Sequence, residues 1–133
     1  MAWHSYGLDR EAQRLVLKAK LQNKDSLNQS YKMRMAVAYG LERFWGEYLR
    51  LQNRRSDADK AQYWKDTWDS LVKIMAQASV TLPNDTVKAD DTKAIQAMSE
   101  KLWQLDLADQ RYALAVLTQL CDCIVWWTQR YKG

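Results

Sequence analysis

The chain has 133 residues, 47% hydrophobic and 27% charged, with one proline and four glycines; that is one globular domain with too few turn formers for a sandwich or barrel of short strands. A single histidine excludes a histidine-rich metal site, and Gly7, Gly40, Gly46 and Gly133 lie too far apart for a glycine-rich phosphate loop. The net charge of +4 is uneven, +6 over residues 1–55 and −2 over residues 56–133, which points to a polyanionic partner on one side.

The first predicted helix covers residues 9–24. Asp9 is its candidate N-cap. Leu8, Ala12, Leu15 and Ala19 form one apolar face, and Arg10, Arg14 and Lys18 form a basic row on another. A long second helix is predicted over residues 26–53. Met33, Val37, Leu41, Phe44, Tyr48 and Leu51 recur at helical spacing, and Met35, Ala38, Trp45 and Leu49 widen that face. Gly40 and Gly46 inside it each cost about 1 kcal/mol relative to alanine, which a closely packed neighbouring helix or a slight kink would explain.

A polar turn carries Arg54 and Arg55 at its tip, with Ser56 the candidate cap of a third helix over residues 57–78. Ala61, Trp64, Trp68, Leu71, Met75 and Ala78 make a heptad stripe along it. Residues 79–91 hold the sole proline and form the one real loop. Asp90 or Asp91 caps a fourth helix over residues 92–104, with Ile95, Met98, Leu102 and Leu105 inward. Asp106 is the candidate cap of a fifth, residues 107–131, lined by Ala113, Leu117, Leu120, Ile124 and Thr128. The expected architecture is a single all-α domain over residues 1–133, an antiparallel bundle of four to five helices.

Catalysis is hard to assemble from these residues. Asp66 and Asp69 alternate with lysines and read as a solvated face. A catalytic role for His4 would have to come from the fold. Cys121 and Cys123 point about 200° apart on a helix, so they cannot bridge within it and read as small buried hydrophobes. No enzyme activity, metal or cofactor is expected. No signal peptide and no apolar run long enough to span a membrane are found. The expected location is a reducing cytoplasm.

Seven tryptophans and seven tyrosines are the sharpest anomaly. Trp64, Trp68, Trp103 and Tyr48 fall at core positions. Trp126 and Trp127 point about 100° apart on a helix, so one lies at an edge; the pair is a candidate protein interface.

The basic rows are the best functional lead. Arg10, Arg14 and Lys18 make one; Arg43, Arg50 and Arg54 make another, interrupted by Glu47. A hairpin of the first two helices would merge them with Lys20, Lys24, Lys32 and Arg34, and Arg55 at the turn tip is the remaining nominated cation. Such a field binds phosphates without reading sequence, and no sequence-reading module is present.

A basic, all-helical chain of this length without a catalytic motif is similar to the small subunit of class 1 CRISPR effector complexes. The closing stretch RYALAVLTQLCDCIVWWTQRYKG resembles the last helix of such subunits in its Arg/Tyr start, apolar middle and basic-aromatic end. The wealth of tryptophan resembles the type I-D form, whose small subunit is made from the C-terminal helical part of the large subunit. The resemblance implies several copies stacked along the complex. They would contact its backbone and large subunits, the guide RNA and the target DNA, while the guide reads the sequence. No position-specific motif transfers a family residue. A second expectation, from another class, is a helical adaptor acting only through protein contacts.

Overall fold

The computed structural model describes residues 7–132, and every regular element among them is helical. The α-helices are α1 (Leu8–Gln22), α2 (Gln29–Ala36), α3 (Leu41–Gln52), α4 (Ala58–Gln77), α5 (Thr92–Trp103) and α6 (Leu107–Tyr131). Short 3-10 turns at Lys24–Asn28, Val37–Tyr39 and Arg55–Asp57 join α1 to α2, α2 to α3 and α3 to α4.

The expected second helix is two helices. Gly40 breaks it, with φ 96° and ψ 174°, a backbone region open essentially to glycine alone. A Cβ built there would meet nothing within 4 Å, so the demand is purely conformational. Gly40→Ala is therefore expected to cost about 1–3 kcal/mol with no packing clash, read by urea unfolding. A loss below about 0.5 kcal/mol would show that the elbow relaxes freely. Gly46 stays inside α3, where an added Cβ would reach only Glu42 Oε2 at 3.8 Å; no neighbouring helix packs closely at that point.

Helix α1 begins directly after Gly7, so Asp9 sits in its first turn and not at the cap. Ser56 falls within a 3-10 turn and Asp57 takes the N-cap position of α4 without a side-chain bond. Asp106 takes that position in α6, also without one. Asp91 does cap α5, accepting from the Ala94 amide at 3.1 Å. Helix α4 ends in paired bonds from Ser79 N–H to Ala76 O and from Val80 N–H to Met75 O. This is the Schellman arrangement, here with Ser79 at φ 63° in place of the usual glycine.

Helix directions follow from side-chain pairs. Helices α1 and α4 are antiparallel, because Glu11 meets Ser70, Lys18 meets Asp66 and Asn23 meets Asp59. Helices α2 and α6 are antiparallel too, through Arg34 with Asp122 and Ser30 with Thr128. Helices α1 and α6 run the same way, with Asp9 at Cys123 and Gln13 and Lys20 at Tyr131. The expected hairpin of the first two helices does not form; α2 packs on α6 and α4 instead.

The core is built on Trp45, Trp64, Trp68, Tyr63 and Phe44, all fully buried. Residues 78–91 are a packed strap, with Val80, Leu82 and Val87 buried. A polar network crosses the centre. Thr128 Oγ1 donates to Ser30 Oγ at 2.6 Å, and Ser30 Oγ lies 2.6 Å from the Tyr63 hydroxyl. Trp64 Nε1 donates to Gln29 Oε1 at 3.0 Å. Because these groups are buried, each bond is expensive to leave unmade. Trp103 departs from its expected core position and is 61% exposed. It is the last residue of α5, a helix that packs on α3. Met35 and Ala38, expected to widen the buried face, are exposed as well.

Candidate nucleic-acid interface

The basic row of α1 is largely occupied by the protein itself. Arg14 holds Glu11 at 2.6 Å and donates to Ser70 Oγ at 3.2 Å. The hydrogen bond from Arg14 keeps the Glu11 carboxyl below its usual range, against the opposing effect of burial. Lys18 reaches Asp66 of α4 at 2.8 Å. Only Arg10 of that row makes no ion pair with a described residue, and it lies beside Arg14 and Lys73 in a shallow depression. Of the other nominated cations, Arg34 pairs with Asp122 at 2.6 Å and Arg50 with Glu47 at 2.8 Å. Arg43 lies over the Tyr39 ring, 5.2 Å from its centre.

The remaining nominated residues converge. Helices α1, α3 and α6 end, and α2 and α4 begin, at the same end of the bundle. Asn23 Nδ2 donates to Asp59 Oδ2 at 3.4 Å, joining the end of α1 to the start of α4. Lys20 sits 5.8 Å from the Tyr131 ring, joining the ends of α1 and α6. Lys132 sits 5.3 Å from the Tyr31 ring, joining the end of α6 to the start of α2. Lys24 lies in the turn after α1, Lys32 in the first turn of α2, and Arg54 and Arg55 between α3 and α4.

No member of this group (Lys20, Lys24, Lys32, Arg54, Arg55, Arg130, Lys132) makes an ion pair with a described residue. Part of their role is local, since cations suit helix C-termini. Three helix ends offer together only about 1.5 units of negative charge. The acids of this end outside ion pairs are Asp25 and Asp59. Seven full positive charges exceed that sum, so the end stays electropositive.

Aromatic rings lie among these cations. Trp127 and Tyr131 stack at 5.7 Å with 16° between their planes, and Arg130 lies 5.7 Å from the Trp127 ring. The two adjacent tryptophans divide as their angle requires: Trp126 is 55% exposed, and Trp127 is half-buried against the core. No family model, no curated protein and no solved structure matches this chain. The site is therefore carried by its own geometry.

Arg130 and Lys132 lie outside the two basic rows of the sequence, and their signal there is the basic-aromatic close of α6, RYK; Tyr31 of α2 carries no such signal. Among the described residues, no three His, Cys, Asp or Glu side chains are grouped to hold a metal ion. Asp66 and Asp69 are engaged by Lys18 and Lys65. Cys121 and Cys123 are free thiols, one buried and one half-buried. Among the described residues, no helix is long and apolar enough to cross a membrane. His4 lies outside the described residues.

Proposed function

We infer that this protein is a non-catalytic, sequence-independent nucleic-acid-binding subunit that works through the basic end of its bundle. The observation carrying this reading is the convergence of Lys20, Lys24, Lys32, Arg54, Arg55, Arg130 and Lys132, outside every ion pair among the described residues, beside stacked Trp127 and Tyr131. Phosphates need cations whose charge is not already spent internally, and the paired rings, which stack on each other under Arg130 and Lys20, hold those cations in place. The likeness in size, helix content and charge to small subunits of class 1 CRISPR complexes supplies the assembly. In it, copies of the chain in the cytoplasm would help hold a guide–target duplex and a displaced strand, beside the backbone and large subunits.

The test is salt-titrated binding to single-stranded and duplex oligonucleotides, alone and in the partner complex. Three lost phosphate contacts lower the salt slope by roughly 2 units on single strands. Lys24→Gln with Arg54→Gln and Arg55→Gln is expected to do this equally for all sequences. Neutralising Arg10, Arg14 and Lys18 is expected to do much less, because Arg14 and Lys18 already hold Glu11 and Asp66. Equal effects from the two triples, or no binding by the parent chain even in its assembly, would overturn the reading.

Exposed Trp126, Trp103 and Leu107 favour a second reading, an adaptor that acts through protein contacts alone. It predicts that Trp126→Ala abolishes assembly while the Lys24/Arg54/Arg55 triple changes nothing.

A further inference from the structure

The elbow at Gly40 opens a groove between α2 and α3. Its volume is about 230 Å³, and Met35, Ala36, Tyr39 and Trp64 line it together with Lys32, Arg43 and Glu47. Met35 and Tyr39 are 71% and 69% exposed, an unusual position for a large apolar side chain and an aromatic ring side by side. The groove is smaller than the ~300 Å³ at which drug-sized pockets begin, so it suits one ring system and not a folded segment.

Its charge is one-sided. Glu47 is taken up by Arg50 at 2.8 Å, which leaves Lys32 and Arg43 outside any ion pair with a described residue. Arg43 lies over the Tyr39 ring, 5.2 Å from its centre, and adds cationic character to the platform. An apolar floor, a planar ring and two cations together match a base with its flanking phosphates. A helical peptide would need anchors repeated every three or four residues along a longer groove, and this one is confined to the elbow. Lys32 also belongs to the basic end, so one residue is shared by that end and the groove.

We propose that the α2–α3 elbow is a base-stacking site, in which Tyr39 receives one unpaired base of a bound single strand while Lys32 and Arg43 hold its phosphates. This rests on the nucleic-acid reading above and adds a ring-recognising element to a phosphate-binding surface. It makes the protein prefer single strands bearing bases over the bare backbone, with no preference among base sequences.

The experiment compares a labelled oligothymidylate with an abasic strand of equal phosphate number. The parent chain is expected to bind the thymidylate about fivefold or more tightly, the worth of one stacked base. Tyr39→Ala is expected to remove that preference without changing the salt slope, and Tyr39→Phe to retain it. Tyr39 is exposed, and an unchanged circular dichroism spectrum verifies that each variant keeps its fold. Equal binding of the two strands by the parent, or a preference that survives Tyr39→Ala, overturns the stacking site and leaves the phosphate surface standing. Failure to bind either strand, alone or in the assembly, overturns both. Binding of an acidic, leucine-containing peptide that Tyr39→Ala abolishes, with no strand preference, overturns the base site in favour of a protein partner.

Discussion

Trp68→Ala is expected to destabilise the protein by roughly 3–5 kcal/mol, as large aromatic truncations in cores do. Trp68 is fully buried. Its ring lies 6.4 Å from Phe44 of α3, and its Nε1 donates to the Pro83 carbonyl at 3.3 Å. One side chain therefore joins α4 to α3 and to the strap of residues 78–91. Alanine would leave a cavity where these three meet and would remove the hydrogen bond to the Pro83 carbonyl. Against a total stability of about 5–15 kcal/mol, the loss is large enough to populate the unfolded chain. Urea or thermal unfolding measures it. A change below about 1 kcal/mol would mean that the strap and α3 close over the gap, and that the core rests on Trp64 and Phe44.

The second large effect is alkaline destabilisation. Burial pushes the Tyr63 hydroxyl up to about 12, opposed by its hydrogen bonds with Ser30 and Thr128. Burial also pushes the Cys121 thiol far up, and it raises Cys123 to about 11 with help from nearby Asp9. These groups are neutral when protonated, and the folded state holds their protons more tightly than the unfolded chain does. Their contribution is thus complete below the unfolded values. It falls as pH rises through about 9 for the thiols and about 10 for the tyrosine, and it is gone once the folded values are passed. Tyr63 alone accounts for about 2–3 kcal/mol lost between roughly pH 10 and 12. The free energy of unfolding, measured from pH 8 upward, should fall steeply, and Tyr63→Phe should flatten the part above pH 10. A profile unchanged by Tyr63→Phe would place that hydroxyl in contact with water.

Much of the bundle was legible because helices of a bundle bury one stripe. Ala61, Trp64, Trp68, Leu71 and Met75 of α4 are all buried, as are Ala113, Leu117, Leu120, Ile124 and Thr128 of α6. The last three predicted helices begin and end within a residue of α4, α5 and α6. Even across the break at Gly40, Met33, Val37, Leu41, Phe44 and Leu51 stay buried. The 3-10 turn and the glycine redirect the chain while keeping its apolar face inward, which is why periodicity alone gave no sign of the break.

The candidate site was legible residue by residue and illegible as a whole. The Arg14–Glu11 pair spans three residues and was open to local reading. The partners of Lys18 and Arg34, Asp66 and Asp122, lie on other helices. Local spacing carries no information about them. Composition and periodicity by themselves determined the helical class, most helix boundaries, the buried stripes and the excess of positive charge, because each depends only on neighbours within one or two turns. Only the tertiary structure decided that α1 and α6 run side by side in one direction, that α2 turns away from α1, and which cations are spent on carboxylates. Those outcomes depend on which helix ends meet, and charges far apart in sequence add into one field only after packing has brought them together.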